Sequence, residues 1–305
     1  MRNLFGLKLV AVVVLSSIQF STAFAQSAER VRIGVQPITA PTNLAVALKM
    51  FEPIEKSLNV KFEFPSFALG APENQAMAAG EIQMASAGMG PAMVAAARLP
   101  AKLLAFEALE YTGMLVPAGS KITSVSELKG KRIGFPGKGA QQYPLLIKAL
   151  ADAGLREDDV DLVRITGPTG VTLLDKAEID AAFLWEPHMS TAMVEGGAKL
   201  LVRASQIMPL KGGYYLGVGF YGRDDFLARR PDVVQAVVNV LVEAARLINR
   251  DPDRAAREWA QLLSIPYEVA KRSLDEKLAV YSPDMVPDLP AVEAYAVFLR
   301  KGGIL

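Results

Sequence analysis

Residues 131–144 read Lys131-Arg132-Ile133-Gly134-Phe135-Pro136-Gly137-Lys138-Gly139-Ala140-Gln141-Gln142-Tyr143-Pro144, and this pattern predicts a strand, a tight turn and a helix in direct succession. The strand is the apolar run at residues 133–135, and the turn is the run of glycine and proline at residues 136–139. Apolar side chains at helical spacing follow the turn. Since proline is tolerated only in the first turn of a helix, Pro144 places the helix start near Gln141.

This turn is a candidate wall of a ligand site. A helix start leaves backbone N–H groups unpaired and carries partial positive charge, and glycine lets a ligand approach those groups closely. The turn is not a P-loop, because no Gly-Lys-Ser/Thr follows at the required spacing. It is not a complete dinucleotide fingerprint either, because Gln142 stands where the third glycine should be. An ordinary strand-to-helix turn of an α/β protein is the alternative interpretation.

The N-terminus of the 305-residue chain has the pattern of a secretory signal peptide. Arg2 and Lys8 form a basic start, residues 9–15 are apolar, and Ala-Phe-Ala at residues 23–25 is a small-x-small cleavage site. We therefore expect residues 1–25 to be a signal peptide, cleaved near Ala25, and the protein to be periplasmic. An uncleaved membrane anchor is the competing interpretation, but the apolar run is shorter than the roughly 20 residues that a span needs.

Composition excludes several function classes. The chain has no cysteine and one histidine, His188, so it has no thiol nucleophile, no disulfide framework and no His/Cys metal cluster. We expect no metal and no cofactor; an oxygen-only metal site is the open alternative, although no Asp-x-Asp-x-Asp loop is present. His188 is more consistent with a surface or cleft-rim residue than with a catalyst. The net charge is +1 for the whole chain and about −1 without residues 1–25, and no basic block is present, so nucleic acid is not an expected partner. No later apolar run is long enough to predict a membrane span.

Strands and helices alternate from residue 31 to about residue 202, which predicts parallel sheets covered on both faces. The remainder of the chain is mostly helical. Residues 26–305 are long enough to divide into two lobes. Residues 88–91, Gly-Met-Gly-Pro, read as a turn that opens a helix at Ala92, and residues 107–112 read as another turn. The predicted strands are residues 31–35, 60–64, 84–87, 103–106, 113–116, 133–135, 161–165, 181–185, 199–202 and 214–221.

Trp185-Glu186-Pro187 follows a buried strand and places an aromatic plate beside a carboxylate. In open α/β sheets, ligands bind outside the C-terminal ends of the strands. A Trp185 that simply covers the core is the alternative interpretation. The predicted turns at strand C-termini include those at Gln36, Gly88, Tyr111, Gly137 and Trp185, and their convergence favours a cleft.

Several segments, in this order, resemble the periplasmic substrate-binding proteins of ABC importers in the nitrate/sulfonate/taurine group, the NMT1/THI5-like family. They are Gly80-Glu81-Ile82, Gly88-Met89-Gly90-Pro91, Ser126-Glu127-Leu128-Lys129-Gly130-Lys131, the turn at residues 137–143, Glu178-Ile179-Asp180-Ala181 and Trp185-Glu186-Pro187. The resemblance implies an α/β protein with the type II periplasmic-binding-protein fold, in which two α/β lobes enclose a ligand cleft and two hinge strands join them.

Several further expectations follow from this resemblance. Lobe 1 would comprise residues 26–112 and 217–305, and lobe 2 would comprise residues 113–216. The chain would cross between the lobes at residues 113–116 and 214–221. Such a protein would be a monomeric receptor that delivers a small molecule to an ABC permease. The residues carried over as ligand-binding by position are Gln36, Phe67, Gly88, Met89, Gly90, Tyr111, Lys138, Gly139, Ala140, Gln141, Trp185, Glu186 and Tyr214.

The turn after Gly139 departs from the pattern of the sulfonate binders that the chain resembles. Those proteins tend to have Ser/Thr and His there, whereas this chain has Ala140-Gln141-Gln142-Tyr143. No arginine falls in the matched positions, and Lys138 could either supply charge or point into solvent. The four aromatic side chains matched to the cleft offer stacking surface. The expected ligand is therefore a small organic molecule that is sulfonate-like or aromatic and heterocyclic.

Transport is the leading hypothesis for function, and enzymatic activity is not expected. A sensory protein that presents its ligand to a membrane kinase remains an alternative, since sequence does not separate it from a transport receptor. An enzyme on the same fold is a third hypothesis, but the absence of cysteine closes the thiol route.

Overall fold

The structure is a computed structural model, and it describes residues 27–305. The predicted signal peptide therefore lies outside the described residues. The strands are β1 (Glu29–Gly34), β2 (Val60–Glu63), β3 (Met84–Gly88), β4 (Ala101–Glu110), β5 (Thr112–Val116), β6 (Arg132–Phe135), β7 (Asp161–Arg164), β8 (Ala181–Trp185), β9 (Lys199–Arg203), β10 (Leu216–Arg223) and β11 (Ala279–Val280).

The helices follow the same alternating order up to β9 and then dominate the chain. They are α1 (Pro41–Ala47), α2 (Glu52–Leu58), α3 (Gly70–Ala78), α4 (Met89–Arg98), α5 (Gln142–Asp152), α6 (Gly167–Asp175), α7 (His188–Glu195), α8 (Ala204–Ile207), α9 (Asp224–Arg229), α10 (Pro231–Arg250), α11 (Pro252–Leu263), α12 (Tyr267–Asp275) and α13 (Leu289–Lys301). No helix within residues 27–305 is long and apolar enough to cross a membrane.

The strands form two sheets, one in each of two α/β lobes. The first sheet has the order β11-β4-β10-β3-β1-β2, and the second has the order β7-β6-β8-β5-β9. The strands of the first sheet come from two parts of the chain, before β5 and after β9. The second sheet consists of the five consecutive strands β5 to β9. A discontinuous first lobe with an inserted second lobe is the arrangement expected from sequence, although the exact lobe boundaries stay a prediction.

Both sheets are mixed, so the prediction of purely parallel sheets was wrong. β1, β2, β3 and β4 run in one direction, and β10 and β11 run against them. In the second sheet, β5 runs against its neighbours β8 and β9. The reversed strands β5 and β10 are the ones that enter a lobe directly from the other lobe. They start at the cleft, whereas the parallel strands end there.

Two element boundaries also differ from the sequence predictions. Residues 107–110 belong to β4 and are not a turn, because the polar side chains there are buried with partners: Glu107 accepts hydrogen bonds from Thr42 and Ser86, and Glu110 accepts one from the N–H of Ser205. Helix α4 begins at Met89 and not at Ala92. The opening stretch itself is confirmed, with strand β6 followed by the turn and by α5 from Gln142.

The first crossing between the lobes consists of one residue between two strands. β4 ends at Glu110, β5 begins at Thr112, and Tyr111 between them has a φ of 141°. The second crossing lies directly against the first, where Gly217 of β10 contacts Tyr111 and the carbonyl oxygen of Glu110. A Cβ at Gly217 would lie 2.5 Å from the Cβ of Tyr111 and would overlap that carbonyl oxygen.

Helix α13 holds the two lobes together on another side. Its C-terminal end packs against Pro144 of α5 in the second lobe, since a Cβ at Gly302 would lie 2.7 Å from the proline Cβ. Beyond the helix, the carbonyl oxygen of Ile304 accepts a hydrogen bond from Arg98 of α4 in the first lobe at 2.9 Å. Tyr295 of α13 is fully buried in a core cluster that includes side chains of both lobes.

We predict that Gly217→Ala destabilises the protein by about 1–3 kcal/mol or more, the usual cost of overpacking a closed site. The added Cβ meets backbone that cannot rotate away. Urea unfolding followed by circular dichroism measures the loss.

The matched control is Gly119→Ala, since nothing lies within 4 Å of a Cβ at that position. The control is expected to unfold at the wild-type urea concentration. An unchanged midpoint for Gly217→Ala would contradict the tight crossing.

Candidate functional site

A cavity of about 430 Å³ lies between the lobes at the C-terminal ends of their parallel strands. This size is in the range of small-molecule sites. Residues from six strand ends line it, as the convergence of turns in the sequence predicted. The lining consists of Gln36, Leu69, Gly70, Ala71, Gly88, Pro91, Tyr111, Phe135, Pro136, Gly137, Lys138, Gly139, Ala140, Gln141, Gln142, Arg164 and Trp185.

The structure brings eight of the sequence-predicted site residues to this cavity. They are Gln36, Gly88, Tyr111, Lys138, Gly139, Ala140, Gln141 and Trp185. Five others do not line it, namely Phe67, Met89, Gly90, Glu186 and Tyr214. Their positions match the resembled family, but each is engaged elsewhere in the structure.

The reasons for these five differ. Met89 is fully buried, with its sulfur packed against Gly219 of β10. Gly90 carries no side chain, and its N–H donates to Gln141 and not to the open cavity. Phe67 and Tyr214 are half-buried and pack against the core cluster that spans the two lobes.

Glu186 lies beneath the cavity and not in it. Its carboxyl group is fully buried and accepts a hydrogen bond from the hydroxyl of Ser190 at 3.1 Å, while Oε2 is buried without a partner in the described part of the chain. The backbone carbonyl of Glu186 accepts a hydrogen bond from the Tyr111 hydroxyl at 2.6 Å. Glu186 therefore supports the crossing residue Tyr111 and offers no acceptor to a ligand.

Three helix N-termini converge on the cavity. Leu69, Gly70 and Ala71 lie at the start of α3, Gly88 and Pro91 at the start of α4, and residues 139–142 at the start of α5. No N-cap residue of the three makes a side-chain hydrogen bond to its helix, but the N–H of Gly90 at the start of α4 is taken by Gln141. Unpaired N–H groups and the helix dipoles make this end of the cavity electropositive.

Arg164 adds a full positive charge and was missed by the sequence analysis. It is the last residue of β7, it is exposed at the cavity, and its guanidinium makes no ion pair or hydrogen bond with any residue in the range 27–305. Strand-end position was the signal that could have found it, because ligands bind outside the C-terminal ends of strands. Positional matching to the resembled family passed over it.

Lys138, the cation that the sequence analysis named, already forms an ion pair within the protein. Its Nζ lies 3.0 Å from Oε1 of Glu157 and 5.2 Å from the ring centre of Tyr143. The hydrogen bond to Glu157 raises the pKa of Lys138. Of the two cations in the lining, Arg164 is therefore the one with uncompensated charge.

The remaining wall is aromatic and apolar. Trp185 is 8 % exposed at the end of β8, and the edge-to-face contact of its ring with His188 has a centroid distance of 5.3 Å. Burial lowers the pKa of His188 to about 4, so this imidazole is neutral at pH 7, and it does not line the cavity. Tyr111 and Phe135 extend the same surface from both lobes.

Gln141 joins the two lobes across the cavity. It precedes α5 in the second lobe, its Oε1 accepts from the N–H of Gly90 at 3.1 Å, and its Nε2 donates to the carbonyl of Gly217 at 3.2 Å. A Cβ at Gly90 would lie 2.8 Å from the Cβ of Gln141, so glycine there lets the glutamine approach. Gln141 was predicted as a ligand contact, but its amide is occupied by the protein itself.

The lining has no histidine, no carboxylate and no serine or threonine hydroxyl. Nor does any group of three or more His, Asp or Glu side chains within residues 27–305 gather in a way that could hold a metal ion. Chemically, the cavity offers positive charge, hydrogen-bond donors and stacking surface, which is a combination suited to binding an organic anion.

Comparison with known proteins is consistent with this arrangement. A family model described as NMT1/THI5 like matches residues 55–255 of the chain. The taurine-binding periplasmic protein of Escherichia coli strain K12 is 26% identical over 232 residues, which is 76% of this chain and 70% of that protein.

Two solved structures show the same fold. The alkanesulfonate-binding protein SsuA from Xanthomonas axonopodis pv. citri, bound to MOPS, has a TM-score of 0.74 at 25% identity and covers 92% of this chain and 96% of its own. The desulfurization enzyme DSZB has a TM-score of 0.65 at 17% identity, covering 91% and 93%. The two-lobe binding-protein fold expected from the sequence is confirmed, and the enzyme shows that this fold is not restricted to receptors.

We predict that Gln141→Ala makes the amide proton of Gly90 exchange with solvent roughly 2–10 times faster, because a net hydrogen bond contribution of about 0.5–1.5 kcal/mol is lost. Amide exchange followed by nuclear magnetic resonance measures this directly. Gln142→Ala is the control, since Gln142 bonds to Thr112 and not to Gly90. Equal exchange at Gly90 in wild type and Gln141→Ala would contradict the link.

We also predict that stability falls as pH rises from about 5 to above 8. Burial raises the pKa of Glu186 to about 8 and that of Glu107 to about 7. Between the unfolded and folded pKa values the native state binds more protons, so the free energy of unfolding decreases with pH. Glu73, whose pKa burial raises to about 8, acts in the same direction, so the three carboxyl groups together lower the urea midpoint over this pH range.

Urea unfolding at pH 5 and pH 8.5 measures the pH effect. Glu186→Gln should reduce the difference, because its amide cannot ionise, whereas Glu195→Gln on the exposed end of α7 should leave it unchanged. A pH-independent midpoint in the wild type would contradict the prediction.

Proposed function

Because the chain belongs to the NMT1/THI5-like family, we propose that it is the periplasmic binding protein of an ABC importer and that its cargo is a small organic anion, a sulfonate in the first instance. Its general role, a receptor that takes up a solute between two lobes, follows from that membership. The permease is the proposed partner, and the receptor acts as a monomer. The predicted signal peptide at residues 1–25 supports the periplasmic location.

Arg164 is the observation that carries the choice of an anion. It places a charge with no acidic partner in the described chain at the edge of a cavity that has no carboxylate in its lining. The uncapped starts of α3 and α5 act in the same direction. An anionic head group would meet a guanidinium and backbone N–H groups, which compensates for the missing hydroxyls after Gly139.

The aromatic wall supports a ligand with an organic body. Trp185 and Tyr111 both line the cavity from the ends of strands, so a flat or aliphatic group bound there would contact aromatic surface. Closure would then be a population shift, because the contacts to both lobes form only when the lobes approach each other. The step from Glu110 to Thr112 is the natural hinge, since a single residue separates β4 from β5.

Binding is favoured over catalysis by the chemistry of the lining. The nucleophilic candidates there are Lys138, which pairs with Glu157, and Tyr111, whose hydroxyl donates to the backbone of Glu186. Burial raises the pKa of Tyr111 well above its usual value. Neither group is free to exchange a proton with a ligand at neutral pH, so the likeness to the desulfurization enzyme DSZB extends to the fold alone.

We predict that Arg164→Ala weakens the binding of MOPS and 1-hexanesulfonate roughly 10- to 100-fold, because a hydrogen bond to a charged group contributes about 1.5–3 kcal/mol. Isothermal titration calorimetry measures the affinity. Lys138→Ala is the control and should change it much less. Equal sulfonate affinity in wild type and Arg164→Ala would contradict the assignment of the anion site.

Fluorescence provides a second readout of the same titration. The chain has two tryptophans, and Trp259 is fully buried in the first-lobe core. A ligand in the cavity should change the emission of Trp185 alone, and Trp185→Phe should abolish the change while leaving the Trp259 signal.

A further inference from the structure

We propose that Glu73 fixes the side-chain amide of Gln36 with its oxygen toward the cavity, and that the ligand therefore carries an N–H or O–H donor at the end that contacts Gln36. This inference rests on the proposed function, since it assumes that the cavity holds the ligand. It adds a second recognition element to the anion site at Arg164. The preferred cargo is then a hydroxylated or aminated organic anion rather than a simple alkyl one.

The orientation of Gln36 follows from one hydrogen bond. Its Nε2 donates to Oε2 of Glu73 at 2.7 Å, and the pair is buried. Oε1 of Gln36 accepts no hydrogen bond from any residue in the range 27–305, and it is not among the enclosed polar atoms there. Since Gln36 lines the cavity, its carbonyl oxygen is the polar atom that a ligand meets.

The surrounding backbone holds this pair in place. Nδ2 of Asn43 donates to the carbonyl oxygens of Gln36 and Ile38 at 2.8 and 2.7 Å, which fixes the turn after β1. A Cβ at Gly34 would lie 2.7 Å from Oε1 of Glu73, so the carboxyl group occupies space that only glycine leaves open. A Cβ at Gly70 would lie 3.4 Å from Nε2 of Gln36.

Helix α3, which carries Glu73, is itself anchored. Asn74 donates to the carbonyl of Pro91 at 2.9 Å and accepts from the hydroxyl of Tyr221 at 2.6 Å. Glu73 is fully buried and cannot contact a ligand directly. It is thus a positioning residue, and its effect on recognition passes through Gln36.

The protonation of Glu73 is compatible with this orientation. Burial raises the pKa of Glu73 to about 8, and the nearby carboxyl of Glu107 acts in the same direction. Oε1 of Glu73 has no partner in the described chain, so a proton there leaves Oε2 free to accept from Gln36. The amide nitrogen points at Glu73 both when the carboxyl is ionised and when it is neutral with its proton on Oε1.

A packing role alone does not explain a carboxyl group at this position. Burying an acid with one oxygen unpaired is unfavourable, whereas leucine or methionine would fill the same space without that cost. What the carboxyl supplies, and an apolar side chain does not, is an acceptor that selects one of the two amide orientations.

The test compares two ligand series by calorimetry. One series is the ω-hydroxyalkanesulfonates of two to six carbons, and the other is the alkanesulfonates with a methyl group in place of each hydroxyl. The wild type should bind the hydroxylated member about tenfold more tightly at the best chain length. A third series with a terminal methoxy group, which accepts but does not donate, should show no such gain.

Three variants separate positioning from packing. Glu73→Gln can still accept from Gln36 and should keep the hydroxyl preference, whereas Glu73→Leu and Gln36→Leu should lose it. Affinity for the alkanesulfonates should stay at the wild-type value in the two Glu73 variants, which also shows that they are folded, whereas Gln36→Leu is judged only by its own ratio of hydroxyalkanesulfonate to alkanesulfonate affinity. If Glu73→Leu does not fold, the test uses the wild type and Glu73→Gln. Both should bind the hydroxylated ligands more tightly than the methoxy ligands of the same length.

The outcomes distinguish the two proposals. If neither series binds at any length, the proposed function fails and this inference falls with it. If both series bind with dependence on Arg164 but with equal affinity, or if the methoxy series is preferred, the receptor stands and the role of Glu73 is overturned. Retention of the hydroxyl preference in Glu73→Leu also overturns it.

Discussion

The contact of Gly217 with Glu110 and Tyr111 is the constraint on which the rest of the structure depends. Both passages of the chain between the lobes run through this point, and no side chain fits between them. Because the passages are adjacent, the parallel strands of both sheets end at one common edge. The helix starts that follow those strands therefore face one another across a single cavity. The reversed direction of β5 and β10 is the topological consequence, since each enters its lobe at that edge.

Charge is distributed unevenly around this edge, and the distribution determines which ligand class fits. The cavity surface carries the free guanidinium of Arg164 and the uncapped starts of α3 and α5, with no carboxylate. The acidic side chains nearby are fully buried, and burial raises the pKa of Glu73, Glu107 and Glu186 toward or above neutrality. Acids kept largely neutral can serve as hydrogen-bonding partners in the frame without opposing an anion at the surface.

Much of this arrangement could be predicted from the sequence, because it depends on local patterns. Glycine and proline after apolar runs identified the strand ends, and the positional match to the resembled family supplied eight of the cavity residues. The direction of β5 and β10 could not be predicted, because alternation of strands and helices does not encode which lobe a strand enters. Glu107 was misread as part of a turn, because its partners, Thr42 and Ser86, are distant in the chain. Arg164 and the fixed amide of Gln36 likewise depend on which strands and helices become neighbours.

The fold does not decide between a receptor and an enzyme, since DSZB shares it. The distinction comes from the side chains at the strand ends, where this chain presents amides, aromatic rings and cations. Two side-chain amides near the lobe interface differ in their hydrogen bonds. Both polar atoms of the Gln141 amide bond to the first lobe, whereas the Gln36 amide bonds only through its nitrogen and keeps its oxygen free. An amide whose nitrogen is hydrogen-bonded to a buried acid has one fixed orientation, whereas an amide without such a bond can rotate to present either its nitrogen or its oxygen. Recognition in this cavity therefore depends on a residue that no ligand touches, and sequence patterns at the cavity surface would not reveal it.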